Sequence, residues 1–125
     1  MDRTIHDALA RGHVIDITTT GRTTGEPRRV EIVFHNIDGR IYITGMPVAG
    51  RTRAWLRNLE RDPRMTFHLK RAVRADLAAT ARVVTDPAER RRVFEWVTTH
   101  AWDQDVERML AHSPLIEVTF EAAAA

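Results

Sequence analysis

The segment VIDITTTGRTTGEPRRVEIVFHN, residues 14–36, decides the fold. In its first part Ile15 and Ile17 alternate with Asp16 and Thr18; in its last, Val30, Ile32 and Phe34 alternate with Arg29, Glu31 and His35. A period of two sends one kind of side chain to each face of a strand, so residues 13–20 and 29–36 are predicted to be half-buried strands. Between them, Gly21-Arg22-Thr23-Thr24-Gly25-Glu26-Pro27 is polar, with two glycines and a proline, and turns the chain back on itself.

The same alternation recurs on either side of this hairpin. Asp38-Gly39 leads into a third strand over residues 40–46. From Thr52, a candidate N-cap, the spacing becomes helical: Trp55, Leu56 and Leu59 share a face, Arg53, Arg57 and Glu60 lie off it, and Pro63 closes the segment. Met65-Phe67-Leu69 and Leu77-Ala79-Ala81-Val83 are two further strands, joined through residues 71–74. Asp86-Pro87-Ala88-Glu89 opens a helix that buries Val93, Phe94 and Val97; a short helix over residues 104–112 and a strand over residues 115–121 follow. Residues 1–12 form a helical lead-in. Six short strands with one inner and one outer face fit a small closed barrel over Ile, Val and Phe, its openings plugged by helices.

The 125 residues show no internal repeat and no linker, so residues 1–125 are expected to form one domain, with the barrel and its helices over residues 13–121. A chain of this length buries roughly two-thirds of its unfolded surface, enough to fold without staples. There are no cysteines, which excludes thiol nucleophiles, disulfide frameworks, iron–sulfur clusters and thiolate zinc sites. No apolar run approaches the ~20 residues a membrane helix needs. The opening MDRTIHDALARG carries acids where a secretory leader is basic, so a cytoplasmic protein is expected. Net charge is only +2, but it is uneven: residues 20–74 hold twelve Arg/Lys against five Asp/Glu, and residues 75–125 hold five against nine. A basic middle beside an acidic end points to an anion-binding region and not to a nucleic-acid coat.

Ordinary catalytic constellations are missing. The six histidines include no pair at three or four residues' spacing, so no metal site is expected. Asp103, Asp105 and Glu107 have the pattern of solvated acids. Ser113, the only serine, lacks a strand–turn–helix setting. Trp55 and Trp96 lie on helix faces and are expected to pack in the core, whereas Trp102, between two helical segments, is placed to line a cavity.

Two basic groups stand out. In residues 21–29, glycines free backbone N–H groups for an anion, Thr23 and Thr24 add hydroxyls, and Arg22, Arg28 and Arg29 add forked charge. Three residues separate Gly21 from Gly25 and Glu26 follows, which is not P-loop spacing; taken alone, the stretch is equally an ordinary hairpin turn. Arg51, Arg53, Arg57, Arg61 and Arg64 follow Gly45 and Gly50, with Arg53, Arg57 and Arg61 in one stripe. If the barrel brings both loops to one rim, they converge on a single polyanion.

These residues resemble a known family, the deazaflavin-dependent oxidoreductases of the split β-barrel flavin-binding superfamily, which includes the deazaflavin-dependent nitroreductases of actinobacteria. The likeness rests on Thr18-Thr19-Thr20-Gly21-Arg22-Thr23-Thr24-Gly25-Glu26-Pro27-Arg28, on Asp38-Gly39, and on Trp55-Leu56-Arg57-Asn58-Leu59-Glu60-Arg61-Asp62-Pro63, and covers residues 13–120. It implies a mainly β (α+β) six-stranded split barrel that binds coenzyme F420, an 8-hydroxy-5-deazaflavin with a phospholactyl-glutamate tail, or FMN in related branches. By motif position it puts Arg22, Thr23, Thr24 and Arg28 at the phosphate and tail end and Arg51 where relatives often carry lysine. The ring lies near Gly45 and Met46 with Trp55 in the site, and Trp102 falls on the substrate side.

The implied activity is hydride transfer from the reduced deazaflavin to a small conjugated or quinone-like acceptor, with the reactivity supplied by the cofactor. Gly45-Met46-Pro47-Val48 stands where nitroreductase relatives have Ser-Lys-Gly-Gly, which removes a cation and a hydroxyl from the cofactor site, and Trp102 stands where they have tyrosine. Those departures leave open an FMN-dependent reductase or a non-catalytic binder of flavin, haem or lipid. The resemblance also implies a chain able to pair as a homodimer through its sheets.

Overall fold

A computed structural model describes residues 2–121; Met1 and the closing run Ala122 to Ala125, included in the expected domain, lie outside the described residues. Six antiparallel strands close into a barrel in the order β1-β2-β3-β6-β5-β4. They are β1 (Val14–Thr20), β2 (Pro27–Ile37), β3 (Arg40–Thr44), β4 (Arg64–Lys70), β5 (Arg74–Val83) and β6 (Leu115–Phe120), with helices α1 (Arg3–Arg11), α2 (Ala54–Arg61), α3 (Pro87–His100) and α4 (Val106–His112). No described helix is long and apolar enough to cross a membrane.

Register follows the alternation. Ile15 faces Ile32, Ile17 faces Val30 and Thr19 faces Arg28 across β1 and β2, so these side chains point to one face. Ile15, Ile17, Phe34, Ile43, Phe67 and Ile116 fill the barrel, each at most 1% exposed. Leu9 of α1 and Leu59 of α2 join the same cluster. Phe67 meets both Phe34 and Phe120 edge to face, with centroids 5.3 and 5.1 Å apart. A second cluster packs Val93, Phe94 and Val97 of α3 and Met109 of α4 on Tyr42 and Leu115.

Element ends depart from the sequence expectation for local reasons. Strand β2 is longer than predicted because two partners share it: residues 27–33 pair with β1 and residues 34–37 with β3. Before Phe34 its other edge therefore has no strand partner, and the barrel is split there. Strand β3 stops at Thr44, not at residue 46. The Gly45 carbonyl accepts from Ser113 Oγ at 2.7 Å, the Met46 carbonyl accepts from Arg53 Nη2 at 2.6 Å, and Pro47 has no N–H to continue the ladder.

Thr52 is not the N-cap of α2. That position is Arg53, whose backbone is extended and whose side chain makes no capping bond because it reaches to Met46 instead. The fourth helix begins at Val106, two residues later than predicted, where Asp105 Oδ1 accepts from the Glu107 N–H at 2.8 Å. The Asp86 cap and Pro87 start of α3 occur as predicted, with Asp86 Oδ2 accepting from the Glu89 N–H at 2.9 Å.

Candidate functional site

The split in the barrel opens a cleft of about 610 Å³. Its walls are the 21–24 turn, the free half of β2, the Gly45-Met46 segment and the start of α2. Val30 and Ile32 stand on the face of β2 that deeper in the barrel is closed core; here the missing strand leaves that face open, and Val30 is 37% exposed. Trp55 supplies an aromatic wall from the first turn of α2. The volume suits a cofactor-sized ligand.

All eight residues expected to bind cofactor line this cleft: Arg22, Thr23, Thr24, Arg28, Gly45, Met46, Arg51 and Trp55. The two basic loops thus share one rim. Trp102 does not line it. Its ring lies edge-on to His35, centroids 5.1 Å apart, within the layer formed by α3 and α4, and the Trp102 backbone N–H donates to the Val97 carbonyl at 2.8 Å. The ring covers a barrel wall from outside and does not line the cavity that its place between two helical segments suggests.

The 21–27 turn is held by its own backbone. The Gly21 N–H donates to the Glu26 carbonyl and the Gly25 N–H to the Gly21 carbonyl, both at 2.8 Å. Thr24 Oγ1 accepts from the Glu26 N–H at 3.2 Å and from Arg28 Nη2 at 3.3 Å, drawing the Arg28 head over the turn. A Cβ at Gly21 would lie 3.0 Å from the Glu26 carbonyl oxygen and 3.1 Å from Thr24 Oγ1, so the tight turn needs glycine there.

Asn58 is the anchor that sequence reading leaves without a role. Although polar it is 2% exposed; its Oδ1 accepts from the Arg22 N–H and from Arg22 Nη1, each at 3.1 Å, and its Nδ2 donates to Thr19 Oγ1 at 3.0 Å. The one sequence signal for it is its place on the apolar face of α2, one turn after Trp55.

Arg53, read from the sequence only as one member of the second basic group, has a more particular place. Its guanidinium lies against Gly45 and bonds the Met46 carbonyl, while Ser113 Oγ bonds the Gly45 carbonyl. A cation and a hydroxyl therefore do reach the segment whose sequence lacks both. Burial first, and then the neighbouring charge of Arg51, hold the Arg53 pKa below its ordinary value.

Six of the eighteen arginines have a carboxylate partner among the described residues; twelve have none, and four of those twelve line the cleft. Arg29, Arg40, Arg57, Arg64, Arg82 and Arg91 each bind a carboxylate. Among the described residues none of Arg22, Arg28, Arg51 and Arg53, all on the cleft, has a carboxylate partner within 4.0 Å. The cleft thus joins an apolar wall to four cations that the protein leaves unneutralised.

A hydrogen-bonded chain elsewhere has the outline of a nucleophile, base and acid: Thr18 Oγ1 to His68 Nε2 and His68 Nδ1 to Asp76 Oδ1, both 2.7 Å. None of the three lines the cleft. They lie across β1, β4 and β5 and tie those strands together.

The strand order and the cleft define a split β-barrel fold. Among solved structures, the chain is similar to a conserved hypothetical protein from Mycobacterium tuberculosis, at 21% identity and a TM-score of 0.71, covering 98% of this chain and 82% of that one. A putative pyridoxamine 5'-phosphate oxidase from Listeria innocua matches at 14% identity, TM-score 0.67, over 95% and 92% of the two chains. A FAD-binding protein from Mesorhizobium loti matches at 13%, TM-score 0.64, over 98% and 91%. The family model for F420H(2)-dependent quinone reductase matches residues 2–119, and the chain belongs to that family.

Proposed function

We propose that the chain binds coenzyme F420 in the split-barrel cleft and reduces a small conjugated or quinone-like acceptor. The observation that carries this reading is the pairing of an apolar wall, Val30, Ile32 and Trp55, with four arginines that have no acid partner among the described residues. A planar ring with an acidic tail uses both halves.

The residues present fit such a group. Arg22 and Arg28, on the glycine turn, and Arg51 hold the phosphate and carboxylates of the tail; each charge-assisted hydrogen bond contributes roughly 1.5–3 kcal/mol. Thr23 and Thr24 add hydroxyl donors at the same turn. Trp55, Val30, Ile32 and Met46 take the ring and keep water from its face. When bound in its reduced form, F420 supplies a hydride, two electrons to one acceptor carbon or oxygen. The protein's part is to bind, orient and exclude water, which accounts for a cleft without a nucleophile–base pair.

The test is titration of the purified apoprotein with F420, FMN and haem at low and moderate salt, followed by fluorescence and absorbance. Expected are preferential F420 binding that weakens as salt rises and, with reduced F420, oxidation only after a quinone is added. Tighter FMN or haem binding, or F420 binding without turnover on any conjugated acceptor, overturns the reading.

A further inference from the structure

Arg53 is set into the cleft wall in a way its neighbours do not repay. A Cβ on residue 45 would come within 2.8 Å of its Nε and 2.9 Å of its Cζ and Nη2, so a side chain there would push the guanidinium out of this place. One bond, from Nη2 to the Met46 carbonyl at 2.6 Å, fixes the head, and no other hydrogen bond or carboxylate partner is present among the described residues. The side chain is half-buried. Arg51, whose charge acts on it, has the same sign. A partly desolvated cation with a repelling neighbour and no acid is unfavourable in the free protein. An oxyanion from outside removes that penalty.

Position sharpens the point. Arg22 and Arg28 stand on the exposed turn, where salt and water screen them. Arg53 lies beside Gly45 and Met46, and its lowered exposure makes each bond to an oxyanion stronger than at the turn.

We infer that Arg53 is a further ligand-binding residue of the cleft, holding an oxyanion of the ligand directly from the Gly45-Met46 wall. The inference rests on the proposed F420 reading. In that ligand the oxyanion is either the ionised 8-hydroxyl of the ring or the phosphate of the tail, and both present the same chemistry to a guanidinium.

The experiment is titration of wild type, Arg53→Gln, Arg53→Lys and Gly45→Ala with F420 and with the same 8-hydroxy-5-deazaflavin lacking its phospholactyl-glutamate tail, each protein also being melted without ligand. Arg53→Gln is expected to weaken F420 binding at least tenfold with an unchanged or raised melting temperature, since the removed charge has no partner in the free protein. Arg53→Lys recovers part of the loss. Gly45→Ala, which displaces the guanidinium, weakens binding while the residue at 53 stays arginine. Loss toward both ligands assigns the ring hydroxyl, and loss toward F420 alone assigns the phosphate. Wild-type affinity in Arg53→Gln overturns the inference and leaves the F420 reading standing, as does a loss accompanied by a lower melting temperature that Arg53→Lys does not recover. Failure of the wild type to bind either deazaflavin overturns both.

Discussion

Asn58 Oδ1 accepts the backbone N–H and the Nη1 of Arg22 together, each at 3.1 Å, from a side chain 2% exposed on α2. The turn that carries the basic group is therefore bolted to a helix 36 residues later in the chain. The amide neutralises no charge, so Arg22 is oriented and still free to bind an anion.

Removing that bolt has two consequences. Asn58→Ala leaves the Arg22 N–H and the Thr19 hydroxyl without their buried partner, at a cost of about 1–3 kcal/mol. On a domain of this size that lowers the melting temperature by several degrees. F420 affinity falls as well, because the turn is no longer held. Calorimetry and titration on the same preparation check both, and an unchanged melt removes Asn58 from its anchoring role.

Arg22→Ala keeps the turn, since the backbone N–H bond to Asn58 remains, and deletes only the charged head. We expect at least a tenfold rise in the dissociation constant for F420, with little change in stability. The rise should shrink with added salt, because salt weakens the wild-type interaction and not the variant's. A dissociation constant equal to wild type excludes Arg22 from the site.

How far the sequence alone carries is clear from particular residues. Alternation at Ile15, Ile17, Val30, Ile32 and Phe34 specified strands, faces and hairpin, because a period of two is a local property. The family resemblance, carried by the glycine turn and the tryptophan helix, pointed to eight residues that line one cleft. Asn58 escaped, and Arg53 was legible only as one of a basic group, because their particular roles depend on what lies across the fold: a buried asparagine and an unpaired arginine look ordinary until the partner, or its absence, is in place. Trp102 failed in the opposite direction. A gap between two helical segments reads as a cavity edge, but α3 and α4 fold back on the barrel and close over it.

From this packing, Trp102→Ala is expected to lower the melting temperature by several degrees through lost contact with His35 and the α3 and α4 layer. Affinity for F420 should stay within twofold of wild type, since the ring is not a cleft wall. A large loss of affinity with an unchanged melt places Trp102 back at the ligand.

The same layer carries an acid-sensitive group. His35 is 4% exposed, and its Nε2 has no hydrogen-bond partner among the described residues. Burial first, and then repulsion by His13, push its pKa down from 6.5 to about 4. In the unfolded chain His35 takes up a proton near pH 6.5, whereas in the folded state it stays neutral until about pH 4. Across that window the unfolded state binds more protons, so stability is complete above pH 6.5, falls as pH is lowered toward 4, and levels off below it. His35→Phe keeps an aromatic ring against Trp96 and Trp102 and removes the titration. Its urea midpoint should therefore fall less than that of wild type between pH 7 and pH 5, whereas equal falls in the two proteins would show that other groups carry the acid response.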